Sequence, residues 1–88
     1  MKKALFQGFA YDVVFTEHAK LQMVLRGLTE LEVLEVIKTG KVKARVAKSK
    51  FWVYKKLPGR NDNLISVSIA IEKPHLIVIT TMVNWRPE

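Results

Sequence analysis

Hydrophobic and polar positions follow a helical period in two stretches between Thr16 and Gly40, and a period of two after Gly40. In the first stretch, His18, Gln22 and Arg26 stand at i, i+4 and i+8, which places them on one stripe of a helix turning about 100° per residue. Leu21 and Leu25 flank the stripe on one side, Ala19 and Met23 on the other, and Glu17 and Lys20 lie towards water. The pattern therefore predicts a polar stripe in the middle of a packed face, either as a satisfied network or as the wall of a cleft. Thr16 is a hydroxyl N-cap and Gly27 a left-handed stop, so both ends of this helix are marked. A second helix opens on the capping box Thr29-Glu30-Leu31-Glu32, runs through Thr39 and ends at Gly40. Its apolar residues, Leu31, Val33, Leu34, Val36 and Ile37, suit it to brace the first.

Strands account for the rest. Phe9 to Phe15 alternates ahead of the first helix, whereas residues 1–8 are expected to be flexible. After Gly40, Val42, Ala44 and Val46 oppose Lys43 and Arg45. Lys50 to Leu57 sets Phe51, Val53, Lys55 and Leu57 against Trp52, Tyr54 and Lys56. Pro58 to Asp62 is a turn, and Leu64 to Ile71 alternates again. Leu76 to Val83 is almost wholly apolar or β-branched, as in a strand covered on both faces. Together these predict one α+β domain over residues 1–88: two N-terminal helices packed on one face of a mainly antiparallel sheet of four or five strands.

Composition narrows the function classes. There is no cysteine, and the two histidines lie far apart, so no disulfide, metal or other cofactor is expected and a reducing cytoplasm is the default. Met1-Lys2-Lys3 begins like a signal peptide, but Gln7 and Asp12 interrupt the apolar run; no membrane-spanning segment is expected. The net charge of +7 points to an anionic partner. Nine of the fifteen basic residues fall between Val36 and Asn61, a window with no acid that also holds Trp52 and Tyr54. Lys43, Arg45, Trp52, Tyr54, Lys55, Lys56 and Arg60, joined by Gln22, are thus the candidate contacts to RNA, with the rings stacking on unpaired bases. The alternative is a solvated basic face.

Phe15-Thr16-x-His18-Ala19-x-x-Gln22-Met23-x-x-Arg26-Gly27-Leu28 resembles the signature of the family called domain of unknown function 4258, in which an arginine usually stands where this chain has Gln22. That family is similar to the small RelE-like, ParE-like and BrnT-like toxins of bacterial toxin–antitoxin pairs. The resemblance implies a RelE-like fold, metal-independent cleavage of RNA, alone or on the ribosome, and neutralisation by an acidic antitoxin. It also implies roles: His18 as acid or base, Arg26 as a fork for phosphate oxygens, Thr81 as a hydroxyl that bonds phosphate or orients His18, and Lys55 or Lys56 as added positive charge. The alternative on the same fold is a non-catalytic module that binds nucleic acid or protein.

Overall fold

The computed structural model describes residues 2–57 and 64–83, without the side chains of residues 44–47. Its elements are β1 (Lys3–Phe6), β2 (Phe9–Phe15), α1 (Glu17–Arg26), α2 (Glu30–Thr39), β3 (Lys41–Ala47), β4 (Lys50–Lys56), β5 (Leu64–Glu72) and β6 (His75–Met82). The six strands form one sheet in the order β1-β2-β6-β5-β4-β3. All neighbours are antiparallel except β2 and β6, which run parallel.

This corrects the expected architecture of two N-terminal helices on a mainly antiparallel sheet of four or five strands. The sheet is mixed, has six strands, and has two of them ahead of the helices. The sixth strand exists because Gln7 and Gly8 both take positive φ, 50° and 81°, closing a two-residue hairpin between Phe6 and Phe9. Such a turn twists in the sense that flanking strands require. The parallel pair arises because β2 leads into the helices and the chain returns to β2 only with its last strand.

The sheet is also curled. Phe6 on β1 and Phe51 on β4 meet edge to face with ring centroids 5.5 Å apart, although three strands separate β1 from β4. At the usual strand spacing a flat sheet would hold β1 and β4 roughly 19 Å apart. α2 lies in the hollow and contacts β1, β4 and β5, while α1 lies on β6. The hollow is filled by Phe6, Tyr11, Val13, Val33, Val36, Ile37, Val53, Ile65, Val67, Ile69, Leu76 and Val78, all buried.

Both helices end as their sequences dictate. The Thr16 hydroxyl accepts from the Ala19 N–H at 3.1 Å, and Gly27 at φ 65° lets the Leu28 N–H reach the Met23 carbonyl at 2.8 Å. On α2 the Thr29 hydroxyl accepts from the Glu32 N–H at 3.1 Å while the Glu32 carboxylate accepts from the Thr29 N–H at 2.9 Å. Gly40 is constrained differently. Its φ is ordinary at −76°, but an added Cβ would stand 2.3 Å from the Val36 carbonyl oxygen and 2.6 Å from that of Tyr54. The backbone leaves α2 through a gap that no side chain can enter.

The two glycines therefore separate in experiment. Gly40→Ala forces backbone apart and is expected to lose roughly 1–3 kcal/mol or more, as overpacking does. Gly27→Ala meets open space and loses only the left-handed penalty, on the order of 1 kcal/mol. Urea denaturation of both variants checks this; a Gly40→Ala protein as stable as wild type would show that the gap is not closed.

Candidate functional site

The residues singled out from the sequence fall into two groups on different parts of the fold. His18, Gln22 and Arg26 lie on α1, whose buried arc is set by Ala19 and Met23. Gln22 and Arg26 are half-buried on one flank of that arc, and His18, one step further round, is exposed. Leu21, Val24 and Leu25 are 58%, 78% and 72% exposed. The stripe thus runs along the margin of the packed face rather than through its middle, because α1 is gripped through Ala19 and Met23 while Leu21 and Leu25 face water.

Gln22 has a definite task. β2 pairs with β6 only as far as Phe15 opposite Val78, so beyond that point β6 has no strand on that side. α1 takes over. The Thr16 N–H donates to the Val78 carbonyl at 3.1 Å and the Thr16 hydroxyl to the Ile79 carbonyl at 3.2 Å. Six residues further along the chain, nearly two helical turns on, Gln22 Oε1 accepts from the Thr81 N–H at 2.9 Å. A side-chain amide here stands in for the missing strand.

Thr81 is turned inward by an irregularity in β6. Ser68 is opposite Thr80 and Ile69 opposite Val78, so Ile79 is an extra residue and the alternation of faces shifts there. Thr81 joins the row Val53, Val67, Thr81 on the helix side, fully buried, and its hydroxyl has no hydrogen-bond partner. It faces the core, not solvent. The Ser66 hydroxyl is also buried without a partner, in the opposite face of the sheet.

The second group lies on β3 and β4. Because β4 alternates, Lys50, Trp52, Tyr54 and Lys56 share the face turned away from the helices, while Lys55 shares the helix side with Phe51 and Val53. Trp52 is opposite Ser68 and then Thr80; Tyr54 is opposite Ser66 and then Met82 on one side and Lys41 on the other. Both rings are half-buried, Lys50 and Lys56 are exposed, and Lys43 is exposed on β3. The Arg45 side chain and the whole of Arg60 lie outside the described residues. Lys55 is engaged elsewhere: its ammonium donates to Glu35 on α2 at 2.9 Å and to the Thr39 hydroxyl. The structure thus gathers Trp52, Tyr54 and Lys56 on one face and separates Lys55 from them. Sequence reasoning passed over Lys41 and Lys50, although the same alternation that placed Trp52 and Tyr54 places Lys50 beside them.

Two carboxylates titrate low. The Lys3 ammonium hydrogen-bonded to Asp12, and the Lys55 ammonium followed by the Thr39 hydroxyl on Glu35, hold these groups below the ordinary carboxylate range. Among the described residues no three His, Cys, Asp or Glu side chains gather as metal ligands, and no helix is long and apolar enough to cross a membrane.

Substitutions on α1 and β6 test these assignments. Gln22→Arg supplies donors only, so the Thr81 N–H loses its acceptor and stability is expected to fall by about 1–3 kcal/mol. Gln22→Glu keeps an acceptor and loses less. Thr81→Val removes a buried hydroxyl that bonds nothing and leaves stability equal or higher. Thermal unfolding in which Gln22→Arg and Gln22→Glu behave alike would exclude the backbone role of Gln22.

The Glu35 pair makes a prediction about acid. A folded-state value below the ordinary 4.5 gives stability that is present above that pH and lost as pH falls through the lowered value. The stability difference between wild type and Glu35→Gln should therefore be greatest above pH ~5 and shrink below pH ~4. Urea titrations across that range check it, and a difference indifferent to pH would contradict the pairing.

No curated protein and no solved structure matches the chain. One family does, over residues 15–83, from the end of β2 through β6 and so across the whole of α1 and its seam with β6. The chain belongs to the family described as Domain of unknown function (DUF4258).

Proposed function

We propose that this protein binds single-stranded RNA on the outer face of the β3–β4 hairpin, in the cytoplasm, as a binding module. One observation carries the reading: Lys50, Trp52, Tyr54 and Lys56 project from the same face of β4, two rings between two ammonium groups. Rings at alternate positions of a strand stack successive bases, and flanking cations follow the backbone. Ser68 and Ser66 opposite the rings are small. The +7 charge supplies attraction at longer range.

The ribonuclease and toxin reading implied by the family resemblance remains a second proposal, with an acidic antitoxin as partner and RNA, free or on the ribosome, as substrate. Its favouring observation is that His18 is exposed on α1 and within reach of a ligand. It would rely on His18 and Arg26, since the Thr81 hydroxyl faces the core and Gln22 is bonded to the Thr81 backbone.

One experiment separates the two. A fluorescent single-stranded RNA is titrated at several salt concentrations and then examined for cleavage, with and without translating ribosomes. Binding is expected to weaken steeply with salt. Trp52→Ala and Tyr54→Ala should each weaken it by about tenfold or more, in line with ~1–3 kcal/mol for a stacked base, while His18→Ala leaves it unchanged. Salt-independent binding, or binding indifferent to both rings, would overturn the module reading. Cleavage abolished by His18→Ala would establish the nuclease reading instead.

A further inference from the structure

Beside the ring-bearing face is a cavity of about 350 Å³ where the last turn of α2 meets β3, β4 and the start of β5. Its construction begins at Gly40. Because no side chain stands there, the backbone of Gly40 fits between the Val36 and Tyr54 carbonyls, and the end of α2 is held directly against β4. Lys41 then emerges directly opposite Tyr54, on the same face. Leu64, opposite Lys56 on β5, supplies an apolar wall.

The three lysines that line this cavity differ in charge balance. Lys55 is neutralised in place by Glu35, with the Thr39 hydroxyl also on its ammonium. Lys41 and Lys56 meet no carboxylate among the described residues, and both are exposed. Among the described residues the cavity therefore offers two ammonium groups without a carboxylate partner, beside a phenol ring and a leucine. Its volume is within the range of small-ligand sites, roughly 300–1,000 Å³, and exceeds what a bare phosphate needs. A ligand matching this chemistry carries an anionic group and a planar ring.

We propose that this cavity seats one nucleotide unit, with its phosphate between Lys41 and Lys56 and its base against Tyr54 and Leu64. The inference deepens the RNA-binding reading and rests on it for the identity of the natural ligand. It assigns a phosphate-binding role to Lys41, outside the contacts read from the sequence, and gives Lys55 the separate task of securing α2 to β4. Tyr54 is shared by the cavity and the stacking face, so a strand lying along β4 would place a nucleotide in the cavity without a break.

The test uses adenosine 5′-monophosphate as probe, followed by amide chemical shifts of the full chain, with adenosine and inorganic phosphate as the two halves. The nucleotide is expected to shift Gly40, Lys41, Tyr54 and Leu64 and to bind more tightly than either half. Lys41→Gln and Lys56→Gln together should weaken it by tenfold or more. The same double variant is titrated with the single-stranded RNA. If RNA binds in a Trp52-dependent way but the double variant changes neither RNA nor nucleotide affinity by more than twofold, the cavity assignment is overturned and the RNA reading stands. If the nucleotide binds as described and RNA does not, the cavity assignment holds and the RNA reading fails. Shifts confined to α1 or β1 would also overturn the cavity.

Discussion

The edge of β6 beyond Val78 is the constraint on which the fold depends. β6 lies between β2 and β5, so its backbone groups need partners on both sides. β2 cannot supply them all, because the chain must leave the sheet at Phe15 to form α1. A buried N–H or C=O left without a partner costs about 1–3 kcal/mol. Thr16 and Gln22 close that edge from the side, one at the helix cap and one two turns later. The bonds that end the sheet also fix the angle of α1, since Thr16 is at once the helix cap and a partner of β6. Packing of Ala19 and Met23 against β6 then follows.

A second constraint is the curl. Rings on β1 and β4 meet only if the intervening strands bend towards the helices, and α2 keeps the hollow from collapsing. The curl divides the sheet's two faces by task. The inner face holds the apolar core, the orphaned Thr81 hydroxyl and Lys55, while the outer face carries Lys50, Lys56 and the two rings of β4. The inner face is closed to any large solute, because α2 and the apolar side chains fill it.

How much of this could be read from the chain depended on whether the signal was local. Thr16, Gly27 and the Thr29–Glu32 box are local: each satisfies backbone groups within a few residues, and each marks its helix end as read. The alternation of β4 is local too, and it separates Lys55 from Lys56 correctly. What failed was non-local. The extra residue at Ile79 has no signature in a run of Ile, Val and Thr, so nothing distinguished Thr80 from Thr81 until pairing with β5 was known. The exposure of Leu21 and Leu25 depends on where β6 lies, which the helix period alone does not encode. The parallel return of β6 to β2 and the Gln7–Gly8 hairpin likewise required the whole sheet.

The same distinction bears on Gln22. Read as a helix-face position, it is the uncharged member of the stripe His18, Gln22, Arg26, with no evident task. Read against β6, it is an acceptor for a backbone N–H, a role no guanidinium can fill because it has donors only. An arginine at this place would leave the edge of β6 to another group or to water. Exchanging Gln22 for arginine would therefore change how the sheet ends. In this chain the Gln22 side chain is committed to the backbone of β6, whereas Lys43 on β3 and Lys50 and Lys56 on β4 are exposed.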